Sequence, residues 1–141
     1  MKIYTRLAAL AGFATLFAGA ATGTASAAAV NYQITVCTGN VPNAGTDANV
    51  EIRVNGSLGS SPFVPLDNPG NDRERNTCDV YPFTFADLGT LQSVNVFFDH
   101  SGLGADWFLT TVRVKPGSLA TATFPYNVWL TSAGIFTRTA A

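Results

Sequence analysis

An all-β fold, an antiparallel sandwich of about eight strands, is what the sequence predicts, and three observations predict it. Apolar and polar residues alternate with a period of two in several separate runs. Stretches rich in Gly, Asn, Asp and Pro recur roughly every ten residues, and beyond residue 30 no helical period persists over a window of about 11 residues.

The elements follow in order. Tyr32, Ile34 and Val36 alternate with Gln33, Thr35 and Cys37, as in a strand with one buried face. Val50, Ile52 and Val54 alternate with Asn49, Glu51 and Arg53, and Asn55-Gly56 directly after them reads as a tight hairpin turn. Phe63 to Leu66 is a short strand closed by Asp67-Asn68-Pro69-Gly70, and the mixed-charge run Asp72-Arg73-Glu74-Arg75 reads as a solvated loop. Val80 to Phe85 is the next strand, and Phe85 to Leu91 has room for one helical turn. Val94, Val96 and Phe98 repeat the period of two, and Trp107 to Val114, Thr121 to Tyr126 and Ile135 to Arg138 complete the set. Trp107, Phe108 and Trp129 are expected to fill the core or seal its end.

Residues 1–27 read as a secretory signal peptide. Lys2 and Arg6 precede a largely apolar run from Leu7 to Ala21, and Ala25-Ser26-Ala27 has the small-x-small pattern of a cleavage site. The run is short and Ala-rich for a spanning helix, which needs about 18 to 20 apolar residues. The expected domain is therefore 28–141, secreted and extracellular. Its six Lys/Arg stand against nine Asp/Glu, a net charge of −3. Those basic residues are scattered among carboxylates, which excludes a nucleic-acid surface built on clustered cations. Export makes a disulfide between Cys37 and Cys78 the expected state, the alternative being two half-buried thiols.

Catalytic patterns fail. Asp99-His100-Ser101 holds the residue types of a hydrolase triad, but consecutive side chains diverge and cannot line up. His100 is the sole histidine, and no nucleophile elbow, zinc motif or phosphate loop accompanies it. Asp99 and Asp106 share a short Gly-rich loop in which Asp commonly forms turns, so paired-carboxylate glycoside chemistry is not expected either. The chain reads as no enzyme. Oxygen-bearing side chains do gather in two loops, Asn40 to Asn49 and Asp99 to Asp106. Hard cations take six to eight such oxygens, while ordinary Asx turns use the same residues, and both readings stand. The spacing is not that of an EF-hand.

Ordered blocks in the chain resemble the PLAT (lipoxygenase-homology) domain family. They are Tyr32 to Gly39 followed by Ala44 to Val50, Asp79-Val80-Tyr81 with Asp87-Leu88-Gly89, Asp99 to Gly102 leading to Asp106 to Leu109, and Phe124 to Leu130. The resemblance implies an eight-stranded sandwich serving as a non-catalytic module that docks to lipid or protein, often with calcium in its end loops. Matched by position, the implied calcium ligands are Thr46, Asp47 and Asn49 with the Gly45 backbone, and Asp99, Ser101 and Asp106. His100 stands where the family usually has Asn, and Asn40 where Asp is common. The expected function is calcium-assisted association with a lipid surface, with Val41, Pro42 and Leu103 at the loop tips. The alternative is a module docking a protein partner in trans, with calcium structural or absent.

Overall fold

The computed structural model describes residues 28–141; the expected signal peptide, 1–27, lies outside them. Nine strands are described: β1 (Ala29–Thr38), β2 (Val50–Gly56), β3 (Gly59–Ser60), β4 (Val64–Pro65), β5 (Cys78–Ala86), β6 (Leu91–Phe98), β7 (Trp107–Pro116), β8 (Ala122–Leu130) and β9 (Gly134–Thr139). Eight of them are the expected strands, and the ninth is the two-residue β3. One sheet has the order β8-β7-β1-β5; the other runs β9-β6-β2-β3, with β4 also pairing with β2. Every pairing is antiparallel.

The period-two pattern places the core between the sheets. Tyr32, Ile34 and Val36 of β1 face Val50, Ile52 and Val54 of β2 and Val94, Val96 and Phe98 of β6 across it, all buried. Each such side chain contributes about 1.5 to 3 kcal/mol by leaving water. On β7 the alternation slips. Trp107 and Leu109 point inward, but so do Val112 and Val114, because a bulge at Thr110 separates the Cys37↔Thr111 and Thr38↔Leu109 pairs. The Thr110 hydroxyl donates to the Cys37 carbonyl at 2.8 Å, satisfying a group at the point where the ladder breaks. Cys37 and Cys78 are direct cross-strand partners on β1 and β5 and form the expected disulfide.

Three local expectations change. The hairpin turn after β2 is Ser57-Leu58, since Asn55 pairs with Ser60 and Gly56 with Gly59. Asn55 stays in the strand because its amide donates to Ser93 and to Asn95 on neighbouring β6. No helical turn forms between Phe85 and Leu91; β5 runs to Ala86, and Tyr32 accepts a hydrogen bond from the Leu88 amide at 2.9 Å. The charged run 72–75 is only half solvated: Asp72 and Arg73 are buried, Glu74 and Arg75 exposed.

Candidate functional site

The β1–β2 loop (residues 39–49) and the β6–β7 loop (residues 99–106) meet at one end of the sandwich. Backbone and side chains stitch them together. The Thr46 hydroxyl donates to the Ala105 carbonyl at 2.7 Å and accepts from the Ala48 amide, and the Phe108 amide donates to the Ala44 carbonyl at 2.9 Å. At the base Asp99 is the junction. Its carboxylate accepts from the Asn49 backbone amide at 2.9 Å, from the Asn49 side-chain amide at 2.7 Å, and from the hydroxyl and backbone amide of Ser101 at 2.7 and 3.0 Å. Donation to the charged form, from Ser101 foremost and then Asn49, lowers the Asp99 pKa to about 2.

Arg73 was not legible as part of this site. Its side chain donates to the Leu66 carbonyl and, at 3.0 Å, to the Ala48 carbonyl, with the Asp72 carboxylate 3.8 Å away. The Arg73 carbonyl in turn accepts from the Thr46 amide, and its own amide donates to Asp79 at 2.7 Å. The backbone takes a left-handed φ of 58° to make these contacts. A charge that sequence places in solvent is the rivet beneath the first loop.

The implied calcium ligands do not all converge. Asp47, Asn49 and Asp99 line one cleft of about 400 Å³, together with Glu51, Asp67 and the cationic Arg73, which sequence reasoning missed. Those oxygens have the chemistry a hard cation takes. Ser101 sits beside them, its hydroxyl spent on Asp99. Thr46 is buried with its hydroxyl engaged, so it closes the loops rather than offering a free oxygen. Asp106 lies on the other side of the loop pair, its Oδ1 accepting from His100 Nε2 at 2.7 Å. Gly45 borders that second side. Among the described residues no three His, Cys, Asp or Glu side chains are close enough to form a ready metal cluster. Of the implied ligands, Asp47, Asn49 and Asp99 are thus the ones that share a cleft, with Glu51 and Asp67 beside them.

On the second side is a larger cleft of about 910 Å³, and its wall carries Trp129. Trp107 is fully buried as expected, its Nε1 donating to the Thr38 hydroxyl at 2.9 Å. Phe108 and Trp129 are not core residues. They are direct partners across β7 and β8, and because Trp107 and Leu130 point inward, their neighbours must point out. The two rings stand 5.4 Å apart, and Trp129 remains 40% exposed. Gly39 packs beneath Phe108; a Cβ there would fall 2.3 Å from the ring, so only glycine lets the pair lie down on the end of β1. Leu103, at the loop tip, is 97% exposed; Pro42 is exposed and Val41 half-buried.

Comparison with known proteins accords with this architecture. The chain is 36% identical over 100 residues to mouse lipoxygenase homology domain-containing protein 1, a match covering 70% of this chain and 5% of that protein. It is 33% identical over 86 residues to the mouse polycystin family receptor for egg jelly, covering 60% of this chain and 4% of the receptor. This chain therefore spans about a twentieth of the length of these relatives. The structure of coral 8R-lipoxygenase, described as activated by calcium through a C2-like domain, superposes with a TM-score of 0.71 at 28% identity, covering 79% of this chain and 17% of the enzyme. Clostridium absonum alpha toxin shares the fold at 21% identity and a TM-score of 0.66, covering 82% of this chain and 33% of the toxin. The PLAT/LH2 domain family model matches residues 32–137, and the chain belongs to that family.

Proposed function

We propose that the chain is an exported, non-catalytic module whose loop end associates with a lipid surface, assisted by calcium. The observation that carries this reading is the pairing of an oxygen-lined cleft with Leu103, 97% exposed, on the same two loops. Aliphatic side chains contribute about 1.5 to 3 kcal/mol each when fully buried, so Leu103 and Val41 supply only a few kcal/mol against association costs of at least about 4 kcal/mol. Association is weak on apolar contact alone, and the net charge of −3 opposes anionic lipid. Calcium bound by Asp47, Asn49 and Asp99 would supply the positive charge that reverses this. The exposed edge of Trp129 adds an amphipathic ring of a kind that suits the headgroup layer.

Co-sedimentation with phosphatidylserine vesicles tests the proposal. Binding is expected to need calcium and anionic lipid together, to strengthen in Leu103→Trp and to vanish in Leu103→Asp. The melting midpoint should rise by several degrees between chelator and about 1 mM calcium, since a site of about 10 μM then adds about 2.7 kcal/mol. An unchanged melting curve would remove calcium from the account. No sedimentation of folded protein under any condition would transfer the function to docking of a protein partner in trans.

A further inference from the structure

The larger cleft is distinct from the cation-type cleft in both lining and chemistry. One wall is the Trp129 ring, buttressed by Phe108 at 5.4 Å, which is itself seated on Gly39. His100 and Asp106, joined through Nε2 and Oδ1 at 2.7 Å, also line it, as do Asn43 and Thr131. The His100 ring is fixed from behind by Phe98, edge-on at 5.6 Å. The site thus has an aromatic platform that does not need to be ordered on binding, and a partly exposed carboxylate whose Oδ2 makes no hydrogen bond among the described residues.

These properties select among ligands. An acyl chain would have to strip water from the His100–Asp106 pair without replacing its hydrogen bonds. A phosphate or other anion would meet Asp106 with neither Lys nor Arg on the cleft wall among the described residues. A quaternary ammonium gains most from several aromatic faces, whereas among the described residues Trp129 is the one Trp, Tyr or Phe ring on the cleft wall. A neutral pyranose ring is amphipathic in the matching sense: its axial C–H face lies on an indole, and its hydroxyls both donate to a carboxylate or an unprotonated imidazole nitrogen and accept from an amide N–H. The cleft volume is within the range of small-ligand sites. We propose that the Trp129 cleft binds a neutral pyranose, stacked on Trp129 and hydrogen-bonded by Asp106, His100 and Asn43.

The cleft shares Trp129, Pro42 and Leu103 with the face proposed to meet lipid, but sugar binding is testable without vesicles. Ligand-observed saturation-transfer NMR and calorimetry would be run on the folded domain with glucose, galactose, mannose and N-acetylglucosamine, and with sialic acid and phosphocholine as charged comparators. At least one neutral sugar should bind saturably. Trp129→Ala, at an exposed position, should weaken that binding by about tenfold or more, through loss of the ring's apolar contact. Asp106→Asn should weaken it several-fold while leaving the circular dichroism spectrum unchanged. Gly39→Ala should weaken it too, by displacing the Phe108 support. Vesicles carrying galactosylceramide, set against the free sugar, tell a glycolipid source from a soluble glycan. The proposal is overturned by no neutral sugar binding up to about 50 mM, well above the millimolar range of weak ligands, by sugar binding that survives Trp129→Ala, or by preference for phosphocholine or sialic acid. Vesicle binding with no sugar binding would overturn it while leaving the lipid reading intact.

Discussion

The two loops that meet at the functional end are built in opposite ways. In the first, Ala44, Thr46 and Ala48 are buried, and the chain is tied down by Arg73 beneath, by Thr46 across to Ala105 and by the Cys37–Cys78 bridge beside its entry. In the second, Ser101 to Gly104 are all exposed, and His100, Gly102 and Gly104 take left-handed φ values of 54°, 89° and 60°. Its ties are at its two ends, Asp99 with Asn49 at one and His100 with Asp106 at the other. Under the proposed function, a fixed loop that supplies Asp47 and Asn49 and a freer one that presents an apolar tip would divide the labour. Cation binding gains from ligands already in place, whereas contact with a fluid surface tolerates a compliant tip.

If the first loop is the rigid one, breaking its ties should cost most. Replacing both cysteines by alanine removes a closure of 41 residues, worth roughly 4 kcal/mol on the chain-entropy model. A urea denaturation midpoint unchanged in the double variant would show that the bridge contributes nothing the sheets do not already supply. Next in size is Arg73→Met, which leaves the Ala48 and Leu66 carbonyls without their donor and Asp72 without its charge partner. The expected loss is about 3 kcal/mol, a fall in melting midpoint of roughly 10 °C. Amide exchange should quicken in residues 44–48 before it does in 101–104. Equal quickening in both loops would erase the contrast.

The junction at Asp99 gives a smaller effect with a defined pH window. Its folded pKa is about 2, against an unfolded value near 3.9, so between these values the unfolded chain binds more protons. Its stabilising contribution is full above about pH 4 and is lost as pH falls through about 2. Because the carboxyl is exposed, solvent screens the effect. Asp99→Asn should flatten this part of the stability profile and leave the profile above pH 5 parallel to that of the unmodified protein. An identical acid profile in the variant would place the loop's acid sensitivity elsewhere.

What the sequence revealed follows the same division. Strands with one buried face announce themselves by parity, and Tyr32-Ile34-Val36 or Val94-Val96-Phe98 needs no tertiary knowledge. The bulge at Thr110 does, because it arises from the pairing of β7 with β1. Trp129 looked like core because large aromatics usually are; its outward direction follows from Leu130 next to it being buried, a parity visible only once the strand's full extent is known. The loops were recognisable from their Gly, Asn and Asp content. Which oxygens share a cleft was not, since Glu51 arrives from the outer face of β2 and Asp67 from beyond β4, while Asp106 turns away to His100. Arg73 was least legible of all: nothing local distinguishes a buried guanidinium from a solvated one when its partners are backbone carbonyls 7 and 25 residues away.

The smallest effect on stability should come from the most exposed residue, and that is its diagnostic value. Leu103 projects from the second loop with 97% of its surface in water, between Gly102 and Gly104 whose left-handed backbones fix the turn without its side chain. Leu103→Asp therefore removes no packing and breaks no hydrogen bond, and its effect on unfolding free energy should lie within about 0.5 kcal/mol of zero. The same change places a carboxylate where an apolar tip would enter the headgroup layer, so it should abolish vesicle association. Stability and binding should thus separate completely at this residue, as they cannot at Arg73, where loss of the rivet disturbs both. A Leu103→Asp protein that melts several degrees lower would mean that the second loop is packed rather than free, and the contrast between the loops would fall with it.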